Sequence, residues 1–208
     1  MSRHPSFILG YHGCERETAQ AVVRREKPLR PGTGKYHWLG TGIYFWEDDP
    51  LRAIEWAKGR PGKRALKDPW VVGAVIDLGN CLDLRVRENV ELVRQAHQLL
   101  GAEAQEANME LPVNQEAPND KSPDKVMRWL DHLVIERLHR MLEENNEPQF
   151  DTVRALFHEG MKLYKESGFL EKTHTEIAVR SERHIIGYFL PKETPLLLQA
   201  AARVAADP

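Results

Sequence analysis

Cysteine is scarce in this chain, which has Cys14 and Cys81 as the two copies among its 208 residues. Two cysteines cannot form the framework of several disulfides that stabilises small secreted domains, and neither lies in a metal-ligand motif. A reducing, cytoplasmic environment is therefore expected. The first six residues lack the basic and then apolar pattern of a signal peptide. An effector that is secreted without a signal peptide would have the same features.

Long apolar runs and an excess of one charge are also missing. No run is long enough to span a bilayer, so no membrane partner is expected. The chain has 29 Lys and Arg against 31 Asp and Glu, a formal net charge of -2. This balance gives no global electrostatic attraction to nucleic acid, although it leaves room for a local basic groove.

What the chain does have is enough apolar sequence for a core, with 41% hydrophobic residues. We expect one domain over residues 1–208. Short runs rich in β-branched and aromatic residues predict strands near both ends of the chain. The predicted strands cover 7–11, 43–46, 70–78, 81–86, 176–180 and 185–190. Strands that flank a helical middle indicate the α+β class.

The middle of the chain has the apolar spacing of helices. Residues 88–100, 124–144 and 150–165 place apolar side chains three and four positions apart. We therefore predict a helical insertion over 88–165, which serves either as a packing subdomain or as a lid or a surface that recognises a target. Shorter helices are predicted at 18–25 and 50–58, and the tail from Thr194 is also predicted to be helical.

Three segments combine polar and aromatic residues with strand signals. The first is Gly10-Tyr11-His12-Gly13-Cys14, in which Gly13 is predicted to end a strand in a turn. The second is Trp38-Leu39-Gly40-Thr41-Gly42-Ile43-Tyr44-Phe45-Trp46, followed by a helix. The third is Thr173-His174-Thr175-Glu176-Ile177-Ala178-Val179-Arg180, a strand that the Glu176 carboxylate is predicted to open. Each segment is weak evidence by itself, but the ordered set is more specific.

Together these segments resemble the His-Tyr-Glu branch of the ADP-ribosyltransferase superfamily, which holds diphtheria toxin and the poly(ADP-ribose) polymerases. The resemblance implies a pair of antiparallel β-sheets that form an NAD⁺ cleft. It implies transfer of ADP-ribose from NAD⁺ to an acceptor with release of nicotinamide, and it suggests a bacterial toxin or effector. NAD⁺ is then a co-substrate, and the transition state resembles an oxocarbenium ion.

The resemblance also implies roles for single residues. His12 would orient the ribose, and Gly13 would offer its backbone groups to the nicotinamide carboxamide. Tyr44 would stack on the nicotinamide ring, with Tyr36 as a second aromatic wall. Each residue also has a purely structural interpretation: a strand-end histidine, a turn glycine or a core aromatic.

Glu176 would accept a hydrogen bond from a ribose hydroxyl and stabilise the developing positive charge. The alternative is an exposed strand glutamate, since carboxylates are usually solvated. Nearby acidic residues that could replace it are Glu166, Glu171 and Glu182. Candidate contacts to the pyrophosphate are Arg24, Lys35, Arg60 and Arg180, each of which is more simply a surface charge.

Other functions stay open on the sequence. The same site could hydrolyse NAD⁺, or the chain could be a non-catalytic module that binds NAD⁺ or ADP-ribose; an RNA 2′-phosphotransferase would need a basic cluster that is not evident. The nine histidines show no ligand spacing, so no metal is predicted. The expected partners are NAD⁺, a protein or nucleic-acid acceptor, and an inhibitor or antitoxin protein.

Overall fold

The computed structural model describes residues 7–32, 36–59, 65–116 and 125–202. Within these ranges it contains seven strands and five α-helices, in agreement with the predicted α+β class. The strands are β1 (Phe7–Glu15), β2 (Ile43–Glu47), β3 (Pro69–Asp77), β4 (Cys81–Asp83), β5 (Thr152–Phe157), β6 (His174–Val179) and β7 (Ile185–Phe189). The helices are α1 (Arg16–Val23), α2 (Pro50–Lys58), α3 (Arg87–Glu106), α4 (Trp129–Glu144) and α5 (Pro195–Ala202).

The chain divides into two compact units. The first unit comprises residues 1–30, 45–78 and 182–208, and the second comprises 31–44 and 79–181. The division falls inside β2, between Tyr44 and Phe45.

The first unit is built on antiparallel pairing. β1 pairs with β2 on one side and with β3 on the other, and β3 pairs with β7. Helix α2 packs on β1 and β3. The predicted ends of α2 are confirmed: the Asp49 carboxylate accepts a hydrogen bond from the Arg52 amide at 2.8 Å, Pro50 is the first helical residue, and Gly59 follows the last.

The turn predicted at Gly13 is wrong, because β1 continues through this residue to Glu15. Gly13 pairs with Val71 of β3, and a Cβ at this position would lie 2.2 Å from the backbone oxygen of Ala53 in α2. The glycine therefore serves a close approach between helix and strand, not a change of chain direction.

We expect Gly13→Ala to destabilise the chain by about 3 kcal/mol, because backbone rather than a flexible side chain would have to move. For a chain of this size, that loss lowers the thermal midpoint by roughly 8 °C. Gly101→Ala is the matched control, since its Cβ would have nothing within 4 Å in helix α3. The control is expected to raise stability by about 0.5–1 kcal/mol. Equal midpoints for the two variants would contradict the packing role of Gly13.

The second unit combines three strands with two helices. β4 pairs with β5 in parallel, and β5 pairs with β6 in antiparallel orientation. The parallel pair departs from the predicted all-antiparallel arrangement. Helices α3 and α4 pack on each other. The core of this unit is apolar and includes Leu39, Leu82, Ala96, Leu138, Val153 and Ala178, all fully buried.

The prediction of a helix over 150–165 is wrong, since Thr152–Phe157 forms strand β5. The predicted insertion at 88–165 is therefore not helical throughout. The apolar residues of this segment fit helical spacing, but they also alternate. Val153, Ala155 and Phe157 are buried on one face, which matches their pairing with β6. Elsewhere the differences are at element ends: β4 stops at Asp83 and not at residue 86, α4 begins at Trp129, and β6 begins two residues before Glu176.

One histidine is enclosed in the core of the second unit. His139 of α4 is 3% exposed, and neither of its ring nitrogens has a hydrogen-bond partner among the described residues. Burial, and after it the positive charge of Arg180, lower the pKa of His139 to about 4, although the negative charge of Glu136 acts to raise it. In the unfolded chain, by contrast, a histidine titrates near 6.5.

Because of His139, the free energy of unfolding is therefore expected to fall as the pH is lowered. The unfolded chain binds the proton between pH 6.5 and pH 4 and the folded chain does not, so the contribution is complete above pH 6.5. It declines by up to about 3 kcal/mol toward pH 4. We expect His139→Leu to remove this slope and to be more stable than the native chain at pH 5, as measured by urea unfolding. His97→Leu, at the exposed surface of α3, is the control. Parallel stability curves for the native chain and His139→Leu would contradict this assignment.

Candidate functional site

The second unit brings together two of the three predicted core residues, Tyr44 and Glu176. His12 and Gly13 belong to the first unit. Side-chain contacts are dense around Glu176, and these contacts define the candidate site.

Glu176 is the third residue of β6, and both of its carboxylate oxygens have partners. Oε2 accepts a hydrogen bond from the indole Nε1 of Trp38 at 2.7 Å, and Oε1 lies 3.2 Å from Nε2 of His174. The Glu176 side chain is 13% exposed. It is thus a held and largely buried carboxylate, unlike the solvated strand glutamate that was the alternative interpretation.

The groups that hold Glu176 are themselves packed against aromatic rings. His174 stacks on Phe157, with ring centroids 5.4 Å apart and planes inclined by 15°. The two residues lie opposite each other in the β5–β6 register. Trp38 meets Phe157 edge to face at 5.4 Å, and the Arg128 guanidinium lies 4.1 Å from the Phe157 ring centroid and 4.7 Å from that of Trp38. Cation–π contacts of this kind favour one arrangement of the rings.

Tyr44 is largely buried. The residue is 9% exposed, and its ring contacts that of His37 edge to face, with ring centroids 4.9 Å apart. Its hydroxyl donates to the Gly40 carbonyl at 2.7 Å and accepts from the Leu39 amide at 2.8 Å. Burial, and after it the negative charge of Glu176, raise the pKa of Tyr44 well above its ordinary value. The hydroxyl therefore stays protonated and holds the turn before β2.

The Gly40–Gly42 turn is clamped by an ion pair between Glu136 of α4 and Arg180, the residue that follows β6. Glu136 of α4 accepts from the Thr41 amide at 2.6 Å, and its Oε1 lies 2.7 Å from a guanidinium nitrogen of Arg180. That nitrogen also donates to the Thr41 carbonyl at 3.0 Å. Gly40 has a φ of +83°, and a Cβ there would lie 2.7 Å from Glu136 and 2.8 Å from Arg180. The turn therefore needs a glycine at this position.

The clamp changes the acidity of Glu136. Burial acts to raise its pKa, but the hydrogen bonds from Arg180 and the Thr41 amide, and the charge of Arg180, outweigh burial and lower the pKa to about 2. Glu136 is thus ionised whenever the chain is folded near neutral pH.

The remaining predicted residues have varied surroundings. His12 is half-buried in β1 and meets Phe45 at 5.9 Å between ring centroids. Tyr36 is 38% exposed. Among the acidic residues considered beside Glu176, the Glu171 carboxylate accepts from the Met161 amide at 3.3 Å.

The candidate pyrophosphate contacts differ in the partners that hold their side chains. Arg180 is held by Glu136 and Thr41, and Arg24 pairs with Glu26 at 2.6 Å. Lys35 and Arg60 lie outside the described residues.

Sequence reasoning did not assign roles to Trp38, His174, Glu136 or Arg128. One signal was present: His174 and Glu176 are two residues apart in a strand, which places both side chains on one face. Trp38 and Glu176 are 138 residues apart in the chain, and no local pattern indicates their contact.

No metal-binding group emerges from the described ranges, where no cluster of three or more His, Cys, Asp or Glu side chains is placed to hold an ion. Nor does any helix in those ranges have the length and apolar character needed to cross a membrane.

Comparison with known proteins shows a distant relative. The chain is 28% identical over 173 residues to an uncharacterized protein of Methanocaldococcus jannaschii, and the alignment covers 79% of this chain and 74% of that protein. No protein-family model matches the chain, and no solved structure matches it.

Proposed function

We propose that this protein is a NAD⁺-dependent ADP-ribosyltransferase in which Glu176 is the catalytic carboxylate. The observation that carries the proposal is the state of Glu176, a largely buried carboxylate whose two oxygens are held by Trp38 and His174. The ordered His-Gly, Tyr and Glu segments of the resemblance add to it.

A fixed carboxylate suits this reaction because positive charge develops on the ribose as nicotinamide leaves. A negative charge placed beside that ribose lowers the barrier, and it does so most when the carboxylate need not reorient. Low exposure strengthens the effect, since few water molecules screen the charge.

The other roles in the proposal follow the resemblance. His12 orients the ribose, Gly13 offers its backbone groups to the carboxamide, and the Tyr44 ring packs against nicotinamide. Tyr44 acts through its ring, since its hydroxyl is already bonded to Leu39 and Gly40. The fold proposed with this function is the transferase type, with an NAD⁺ cleft.

Two labels on NAD⁺ test the proposal. The purified chain is incubated with NAD⁺ labelled in the adenine ring or in nicotinamide, with and without cell extract. We expect nicotinamide release and adenine label on a protein or nucleic acid. The Glu176→Gln chain is expected to show both results at a greatly reduced rate.

The same assay separates the alternatives. Release of nicotinamide without labelled macromolecules would indicate a NAD⁺ glycohydrolase with the same site. Saturable NAD⁺ or ADP-ribose binding without any turnover would indicate a non-catalytic binding module and would contradict the proposal.

A further inference from the structure

We propose that His174 and Trp38 are positioning residues that hold the Glu176 carboxylate in one orientation, each by a different oxygen. This inference rests on the proposed function for its catalytic meaning. Its structural part concerns the hydrogen bonds at Glu176 alone.

The two anchors come from different parts of the second unit. Trp38, in the turn before β2, donates from Nε1 to Oε2 of Glu176 at 2.7 Å. His174, in β6 itself, faces Oε1 from Nε2 at 3.2 Å. An indole N–H can only donate, and a hydrogen bond to a carboxylate is among the stronger ones in proteins. Two anchors on two oxygens fix both the direction and the rotation of the carboxylate plane.

The second ring nitrogen of His174 also has a partner. Nδ1 lies 2.6 Å from the carbonyl oxygen of Lys172. The imidazole ring is therefore held at both nitrogens, with Nε2 directed at Oε1 of Glu176.

The ring of His174 has little freedom to leave this position. Its side chain is 2% exposed, and it stacks on Phe157. The Trp38 ring also contacts Phe157, so both anchors share one aromatic support. The Arg128 guanidinium lies against the same two rings, Phe157 and Trp38. A carboxylate held in this way does not need to reorient when charge develops near it. Loss of an anchor should therefore lower kcat more than it raises KM.

A matched pair of substitutions at His174 tests the role. Gln places an amide N–H close to the position of Nε2, whereas Asn places one close to Nδ1. His174→Gln therefore keeps a donor to Glu176, and His174→Asn keeps only the bond to Lys172. Both remove the imidazole ring, so the loss of stacking on Phe157 is common to the two variants.

We expect His174→Gln to keep kcat for NAD⁺ within about threefold of the native value. We expect His174→Asn to lower kcat at least about tenfold, with KM changed less than about twofold. Equal kcat values for the two variants would overturn the positioning role, as would an unchanged kcat in His174→Asn.

A second measurement does not depend on turnover. The Trp38 indole N–H gives one of five tryptophan signals in a ¹H–¹⁵N spectrum, and its absence in Trp38→Phe identifies it. We expect this signal downfield in the native chain and in His174→Gln, and shifted in Glu176→Gln and His174→Asn. A Trp38 signal that is the same in all of these chains would overturn the anchor.

The two measurements separate this inference from the proposed function. If the native chain shows no NAD⁺ turnover, the proposed function fails, and the Trp38 signal alone decides whether Glu176 is held as proposed.

Discussion

Glu176→Gln is expected to lower the rate of nicotinamide release from NAD⁺ by about 10²–10³-fold. The substitution keeps the shape of the side chain and an oxygen that can accept from Trp38, but it removes the negative charge. Because the charge acts on the transition state, the loss should appear in kcat, with little change in KM. Initial rates over a range of NAD⁺ concentrations measure both constants.

The control for this substitution is Glu143→Gln, an exposed carboxylate in α4 of the same unit. It is expected to retain the native rate. Glu171→Gln provides the sharper comparison, since Glu171 lies shortly before strand β6. If Glu171→Gln lost turnover while Glu176→Gln kept it, the carboxylate would be misassigned.

Arg180→Met is expected to destabilise the chain by about 2–3 kcal/mol. The Arg180 side chain is 16% exposed and that of its partner Glu136 is 29% exposed, so removal leaves a half-buried carboxylate without its counter-charge. The Gly40–Gly42 turn also loses the bond to the Thr41 carbonyl. Urea unfolding of the native chain, Arg180→Met, Glu136→Gln and the double variant gives the coupling energy.

Acid should weaken the same clamp. Glu136 has a pKa of about 2 in the folded chain, below the value near 4.3 for an unfolded glutamate. Its contribution is therefore present above pH 4.3 and is lost as the pH falls toward 2. The amount is about 2 kcal/mol after allowance for solvent screening.

The surface pair Arg94–Glu91 is the control for the clamp, because its side chains are 65% and 53% exposed. Arg94→Met should change stability by less than about 0.5 kcal/mol. A coupling energy near zero between Arg180 and Glu136 would contradict the clamp. Arg180 would then again be a candidate contact to the pyrophosphate.

The local elements could be predicted from the sequence wherever a local signal defines them. Helix α2 is one example, since Asp49, Pro50 and Gly59 mark its ends through contacts within the helix itself. The Val- and Ile-rich strand β3 is another. The common face of His174 and Glu176 follows from strand geometry only once β6 includes His174, which the predicted strand at 176–180 did not.

Tertiary structure decided what depends on distant partners. Residues 152–157 satisfy helical spacing, but pairing with β4 and β6 makes them a strand. Gly13 suggested a turn, but it lies within β1, where the absence of a Cβ allows α2 to approach closely. The Glu136–Arg180 clamp joins residues 44 positions apart, and the Trp38–Glu176 bond joins residues 138 apart. Such contacts leave no periodic trace, because their free energy arises only when packing excludes water and brings the groups into contact.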